Sequence, residues 1–106
     1  MMTIEEWYAT LTKMTENTDY EVLIKTKISS PVVTLVPKGY DTPQRIAIYP
    51  KKTQGAGLVI ENDIYQMQKI KDLLGEPHRI KGNRPHYNDI PDDTILEVCK
   101  TFLYKA

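Results

Sequence analysis

The sequence predicts an α+β domain built as a two-layer sandwich, in which three helices cover a mainly antiparallel sheet of four to six strands. Three observations predict it. Apolar residues recur at helical spacing in three separate stretches, residues 4–14, 64–74 and 95–103. Between the first two, short β-branched runs alternate with polar breaks that carry Pro or Gly. Strands joined by such brief breaks pair as antiparallel neighbours, and helices with one apolar stripe each can cover one sheet face. A chain of 106 residues is one domain, 1–106, by size.

The elements follow in order. Thr3 and Glu6 have the capping-box spacing, in which each side chain satisfies an orphan backbone N–H of the other. Ile4, Trp7, Tyr8, Leu11 and Met14 then mark a helix that ends before the polar cluster Asn17-Thr18-Asp19. Tyr20, Val22, Ile24, Thr26 and Ile28 share one face of a first strand at period two. The same alternation puts Lys25 and Lys27 together on its solvent face. Ser29-Ser30-Pro31 breaks it. Residues 32–36 form a β-branched second strand, residues 45–49 a third ended by Pro50, and residues 58–60 a short fourth. Asn62 or Asp63 can cap a second helix whose Ile64, Met67, Ile70, Lys71 and Leu74 line one face. Gly75 suits a left-handed helix end and Pro77 forbids continuation. Residues 78–81 and 84–90 read as a fifth and a sixth strand around Gly82-Asn83. Pro85 argues that the sixth is short, bulged or at an edge. Pro91-Asp92-Asp93 opens a last helix with Ile95, Leu96, Cys99, Phe102 and Leu103 buried. The order is α-β-β-β-β-α-β-β-α.

Several chemistries are not expected. The single cysteine, Cys99, rules out a disulfide within the chain and a thiol-rich zinc site, and reads as a small buried hydrophobe. Gly55-Ala56-Gly57 precedes a strand, whereas a phosphate loop needs a helix N-terminus directly behind its glycines. His78 and His86, the only histidines, have no specific ligand spacing, and neither a metal nor a cofactor is expected. Asp92-Asp93 is better explained by a helix N-terminus than by acid–base chemistry. With no nucleophile motif a binding role is expected over catalysis, and an enzyme stays a third possibility, through a loop-built pocket enclosing His78, His86 and Asp89. No apolar run reaches the roughly 18–20 residues that span a bilayer. The acidic start lacks the basic and apolar regions of a signal peptide, so the expected compartment is the cytoplasm, with no membrane contact.

The formal net charge is zero, yet the ends are acidic and the middle is basic. Residues 22–86 hold eleven Lys and Arg against five Asp and Glu. Tyrosines interleave with these cations, as in Tyr49-Pro50-Lys51-Lys52 and Arg84-Pro85-His86-Tyr87. Cations neutralise phosphates and flat rings stack bases. The candidate nucleic-acid-binding residues are Lys25, Lys27, Arg45, Tyr49, Lys51, Lys52, Arg79, Lys81, Arg84, His86 and Tyr87. Whether Arg45 joins Lys25 and Lys27 depends on strand register. Trp7, Tyr20 and Phe102 lie on apolar faces and are expected in the core.

The stretch PHRIKGNRPHYNDIPDDTILEVCKTFLYKA places a His, a short basic segment, a His-aromatic pair entering a strand, a Pro-Asp start and a closing helix. In this it resembles the MmcQ/YjbR-like family of small bacterial proteins, at His78, Arg84, His86, Tyr87, Pro91 and Asp92. The upstream RIAIYPKK is similar to that family's strand before its second helix. Tyr87 stands where the family usually has Trp, and the N-terminal half carries no family motif. The resemblance implies a compact α+β domain associated with DNA binding, without catalysis.

Two functions are therefore expected to compete. The first is a non-enzymatic module that contacts nucleic acid through the basic, tyrosine-bearing centre. The alternative is a small phage or mobile-element accessory or inhibitor protein, whose acidic ends meet a basic host protein. Either accommodates a homodimer.

Overall fold

Helix α1 (Ile4–Met14) begins where Glu6 N donates to Thr3 Oγ1 at 3.1 Å and Thr3 N donates to Glu6 Oε1 at 3.0 Å, the capping box read from the sequence. The computed structural model describes residues 1–41, 43–51 and 55–104. After α1 come β1 (Tyr20–Lys25), β2 (Val32–Pro37), β3 (Ile46–Pro50) and β4 (Ala56–Ile60). Helix α2 (Met67–Leu74), β5 (Arg79–Lys81), β6 (Arg84–Ile90) and α3 (Asp92–Leu103) complete the chain in the expected order.

All pairings in the six-stranded sheet are antiparallel, and the spatial order is β1-β2-β3-β4-β6-β5. The first four strands are a meander. Strand β6 then returns beside β4, leaving the three-residue β5 at the edge. Pro85 thus lies in an interior strand. Its missing N–H is tolerated because the β4–β6 pairing stops at Val59↔His86, and Pro85 faces only Ile80 of the edge strand. A register shift between Ala56 and Leu58 supplies the bulge that proline had suggested, further along the strand.

Several boundaries differ from the sequence reading. Strand β3 starts at Ile46 and includes Pro50, the residue expected to end it, and β4 starts at Ala56, so Ala56 and Gly57 belong to the strand they are expected to precede. Helix α2 starts at Met67, after a left-handed Gln66, and neither Asn62 nor Asp63 caps it. Ile64 is buried from the preceding turn, so its apolar spacing fitted a helix that the backbone does not form there. Strand β1 ends at Lys25, because Val32 is the first residue of β2 to pair with it. Lys27 therefore sits in an exposed bend and does not share a strand face with Lys25.

The core lies between the helices and one sheet face. Trp7 and Leu11 of α1, Ile70 of α2, and Ile95, Val98, Cys99 and Phe102 of α3 pack on Val33, Leu35, Ile46, Ile48, Leu58 and Tyr87. Tyr20 packs against Phe102 with ring centroids 4.7 Å apart and the planes tilted by 57°. All buried helix residues belong to this one cluster. The other sheet face is not bare: Val32, Thr34, Val36 and Ala47 on it are buried too, although they lie outside this cluster. No helix among the described residues is long and apolar enough to cross a membrane.

Candidate functional site

Directly paired residues on antiparallel strands point to the same side of the sheet. The register therefore defines one continuous row across the face opposite the helices: Leu23, Thr34, Ala47, Val59, His86 and Arg79, of which Thr34 and Ala47 are buried and Val59, His86 and Arg79 reach solvent. Beside it Tyr49 pairs with Gly57. The middle of this face is small and apolar, and its β5–β6 side is cationic. The turn residues Ser29, Ser30 and Pro31 line the same cleft as His86 and Arg79, so the face is concave. The cleft encloses about 660 Å³, with Tyr49 and Val59 in its wall and Gly57 leaving its floor open.

Electrostatics single out the β5–β6 end. His86 is held below its ordinary value of 6.5, first by partial burial and then by the positive fields of Arg79, Lys81, Arg84 and His78. Those groups are thus close enough to act on one ring. Ion pairs neutralise part of the basic set: Arg84 with Glu61 at 2.8 Å, Lys51 with Asp89 at 2.9 Å and Arg45 with Asp63 at 3.5 Å. Arg79 and Lys81 form no ion pair among the described residues, nor do Lys25 and Lys27.

The sequence candidates consequently separate. Arg79, Lys81, Arg84 and His86 come together on the β5–β6 hairpin, and Tyr49 and Lys51 line the adjoining cleft. Lys25 pairs with Val32 at the opposite edge of the sheet, with Lys27 beyond it. Arg45 lies just before β3 and is committed to Asp63. Lys52 lies outside the described residues. Tyr87 requires correction: it is 2% exposed and packs in the core against the helices. Its neighbour His86 faces the open side, and consecutive strand residues must face opposite ways. Burial pushes the Tyr87 hydroxyl up, with a further contribution from Glu76.

Residues absent from the sequence-based set also line the cleft, namely His78, Asn88, Gly57 and Val59. His78 N donates to the His86 carbonyl at 2.7 Å, fixing the two histidine-bearing segments side by side. The sequence reading places Gly57 before the strand; its position inside Ala56–Ile60, where a glycine marks close approach by a ligand or backbone, comes only with the structure. Among the described residues no group of three or more His, Cys, Asp or Glu side chains could hold a metal ion. Burial pushes the Cys99 thiol up to about 12, so it holds no thiolate at neutral pH. The arrangement offers unpaired cations, an imidazole, an amide and an aromatic ring around an open floor. That chemistry holds an anion next to a flat group.

The His86 environment sets a pH dependence. Above 6.5 the ring is neutral in folded and unfolded chains alike. As pH falls through that value the unfolded chain takes up the proton first, because the fold disfavours the charged ring. Stability contributed at neutral pH is therefore lost as pH drops below 6.5 toward the depressed folded value. An NMR titration of the His86 ring protons is expected to give a midpoint below 6.5, and Arg79→Ala is expected to move it upward. A midpoint at or above 6.5 in the parent protein would contradict the cation cluster.

No family model, no curated protein and no solved structure matches this chain significantly, so its function is read from the chemistry of the cleft and its cationic rim.

Proposed function

We propose that this protein is a non-enzymatic module that binds single-stranded nucleic acid on its open sheet face. One observation carries the reading: the row Val59–His86–Arg79 runs beside Tyr49 and Gly57 on the sheet face opposite the helices. A cleft on a sheet face that holds a half-buried aromatic ring and a cationic edge can stack a base and take up a phosphate backbone. Arg79 and Lys81, which form no ion pair among the described residues, supply the charge, and Gly57 leaves room beside Tyr49 in the cleft. The likeness of residues 77–106 to MmcQ/YjbR-like proteins belongs to the same proposal.

The test is fluorescence anisotropy with labelled single-stranded DNA and RNA across a salt series. Each phosphate neutralised contributes a slope of about −0.7 in log affinity against log salt for single strands. Two to four contacts from the hairpin cations therefore predict a slope of roughly −1.5 to −3. Charge reversal in Arg79→Glu with Lys81→Glu should flatten that slope and weaken binding at least tenfold. Absence of binding, or an affinity indifferent to salt, would overturn the proposal.

A further inference from the structure

We infer that the cleft over Gly57 is a subsite for one phosphorylated nucleotide unit, with the phosphate against Arg79, His86 and His78 and the base against Tyr49. This deepens the proposed function and rests on it.

The cleft has the size and the division of labour that such a unit needs. Its volume of about 660 Å³ falls within the range of roughly 300–1,000 Å³ usual for small-ligand sites. Arg79 and His86 are direct cross-strand partners on the open face, and His78 is tied to the same place by its hydrogen bond to the His86 carbonyl. Arg79 has no carboxylate partner among the described residues, so its planar fork is available to a phosphate. Tyr49 stands on β3, two strands in from His86, and is half-buried, with its direct partner on the intervening β4 a glycine. Any side chain at position 57 would project from the floor between the aromatic wall and the cationic rim. Asn88 adds amide donor and acceptor groups suited to a base edge.

Gly57 also makes the inference testable without dismantling the fold. Its φ is not in the left-handed region, and an added Cβ would meet Tyr49 Cβ at 3.5 Å, an ordinary contact. Gly57→Val therefore fills the cleft floor with a residue that favours strands and leaves every cation in place.

The experiment follows backbone amide shifts of the labelled protein on titration with AMP, UMP, uridine, inorganic phosphate and a short oligouridylate. A dispersed amide spectrum establishes that each variant is folded. The expected result is that AMP and UMP shift the amides of residues 57–59, 78–79 and 86–88. Uridine and inorganic phosphate should each bind at least tenfold more weakly, and Gly57→Val should weaken the mononucleotides at least tenfold. Tyr49→Leu, which keeps apolar bulk but removes the ring face, should do the same. If the oligonucleotide binds with a steep salt dependence while mononucleotides leave the cleft unshifted, the subsite is wrong and the strand-binding reading stands. If mononucleotides bind in the cleft and the oligonucleotide binds no more tightly, the subsite stands for free nucleotides and the strand-binding reading fails. Equal affinity for inorganic phosphate and UMP would overturn the base contact with Tyr49.

Discussion

Replacing Trp7 with alanine is expected to lower the free energy of unfolding by about 3–5 kcal/mol. Trp7 is fully buried, and α1 holds it in the cluster that joins all three helices to the sheet. Truncation removes the largest buried side chain and leaves a void that the paired strands cannot collapse to fill. The indole carries an opposing term. Its Nε1 is buried with no acceptor among the described residues, and an unsatisfied buried donor costs about 1–3 kcal/mol. Trp7→Phe, which removes that donor and keeps a ring, is therefore expected to cost less than half as much as Trp7→Ala. Urea unfolding followed by far-UV circular dichroism measures both, since either variant removes the only tryptophan. Equal losses for the two variants would show that the indole N–H finds a partner in solution.

Gly55→Ala is expected to destabilise the protein by about 2 kcal/mol or more, from left-handed backbone strain of about 1–3 kcal/mol and a steric conflict added to it. Gly55 has φ +38°, and a Cβ there would lie 2.4 Å from the carbonyl oxygen of Ile90. The atoms in the way are backbone, so no rotamer change relieves the contact. This is where β6 passes the start of β4: Asp89 has a left-handed φ of +55° and the register shifts between Ala56 and Leu58. Gly39→Ala is the control. Gly39 has a positive φ as well, but its added Cβ meets nothing within 4 Å. The difference between the two melting temperatures isolates the close approach from the conformational penalty. Lys51 reaches the cleft through its bond to Asp89 on this bulge. A shifted bulge would therefore also move one wall of the candidate site, and amide shifts at residues 86–90 would report it.

The tyrosines show how a strand hides its own orientation. Tyr49 and Tyr87 have the same sequence signature, a ring beside basic and proline residues, yet Tyr49 borders the open cleft and Tyr87 is core. Period-two alternation says that His86 and Tyr87 face opposite ways, but not which one faces the helices. That is set by pairing with β4, where Tyr87 lies opposite Leu58 of the core cluster and His86 lies opposite Val59 on the other face. For any binding study this matters directly. Loss of binding on substituting Tyr87 would report a damaged core, whereas loss on substituting Tyr49 reports the site.

Local signals alone determined the class and order of elements. The capping box at Thr3 and Glu6, the left-handed Gly75 that ends α2, and the apolar periods of α1, β1 and α3 each act within a few residues, so a linear reading finds them. The same reading made the centre basic but could not sort its cations. Only the tertiary structure decided that β6 lies between β4 and the edge strand β5, and this placed Arg79 opposite His86. It paired Arg84, Lys51 and Arg45 with carboxylates 18 to 38 residues away and left Arg79 and Lys81 without an ion pair among the described residues. It also put Lys25 on the edge strand β1 and Lys27 in the bend after it, off the hairpin that carries the other cations. The physical reason is range. Caps and periodicities are satisfied by near neighbours, whereas the field at the cleft depends on strand order and register, which are fixed only when distant segments bury their apolar faces together.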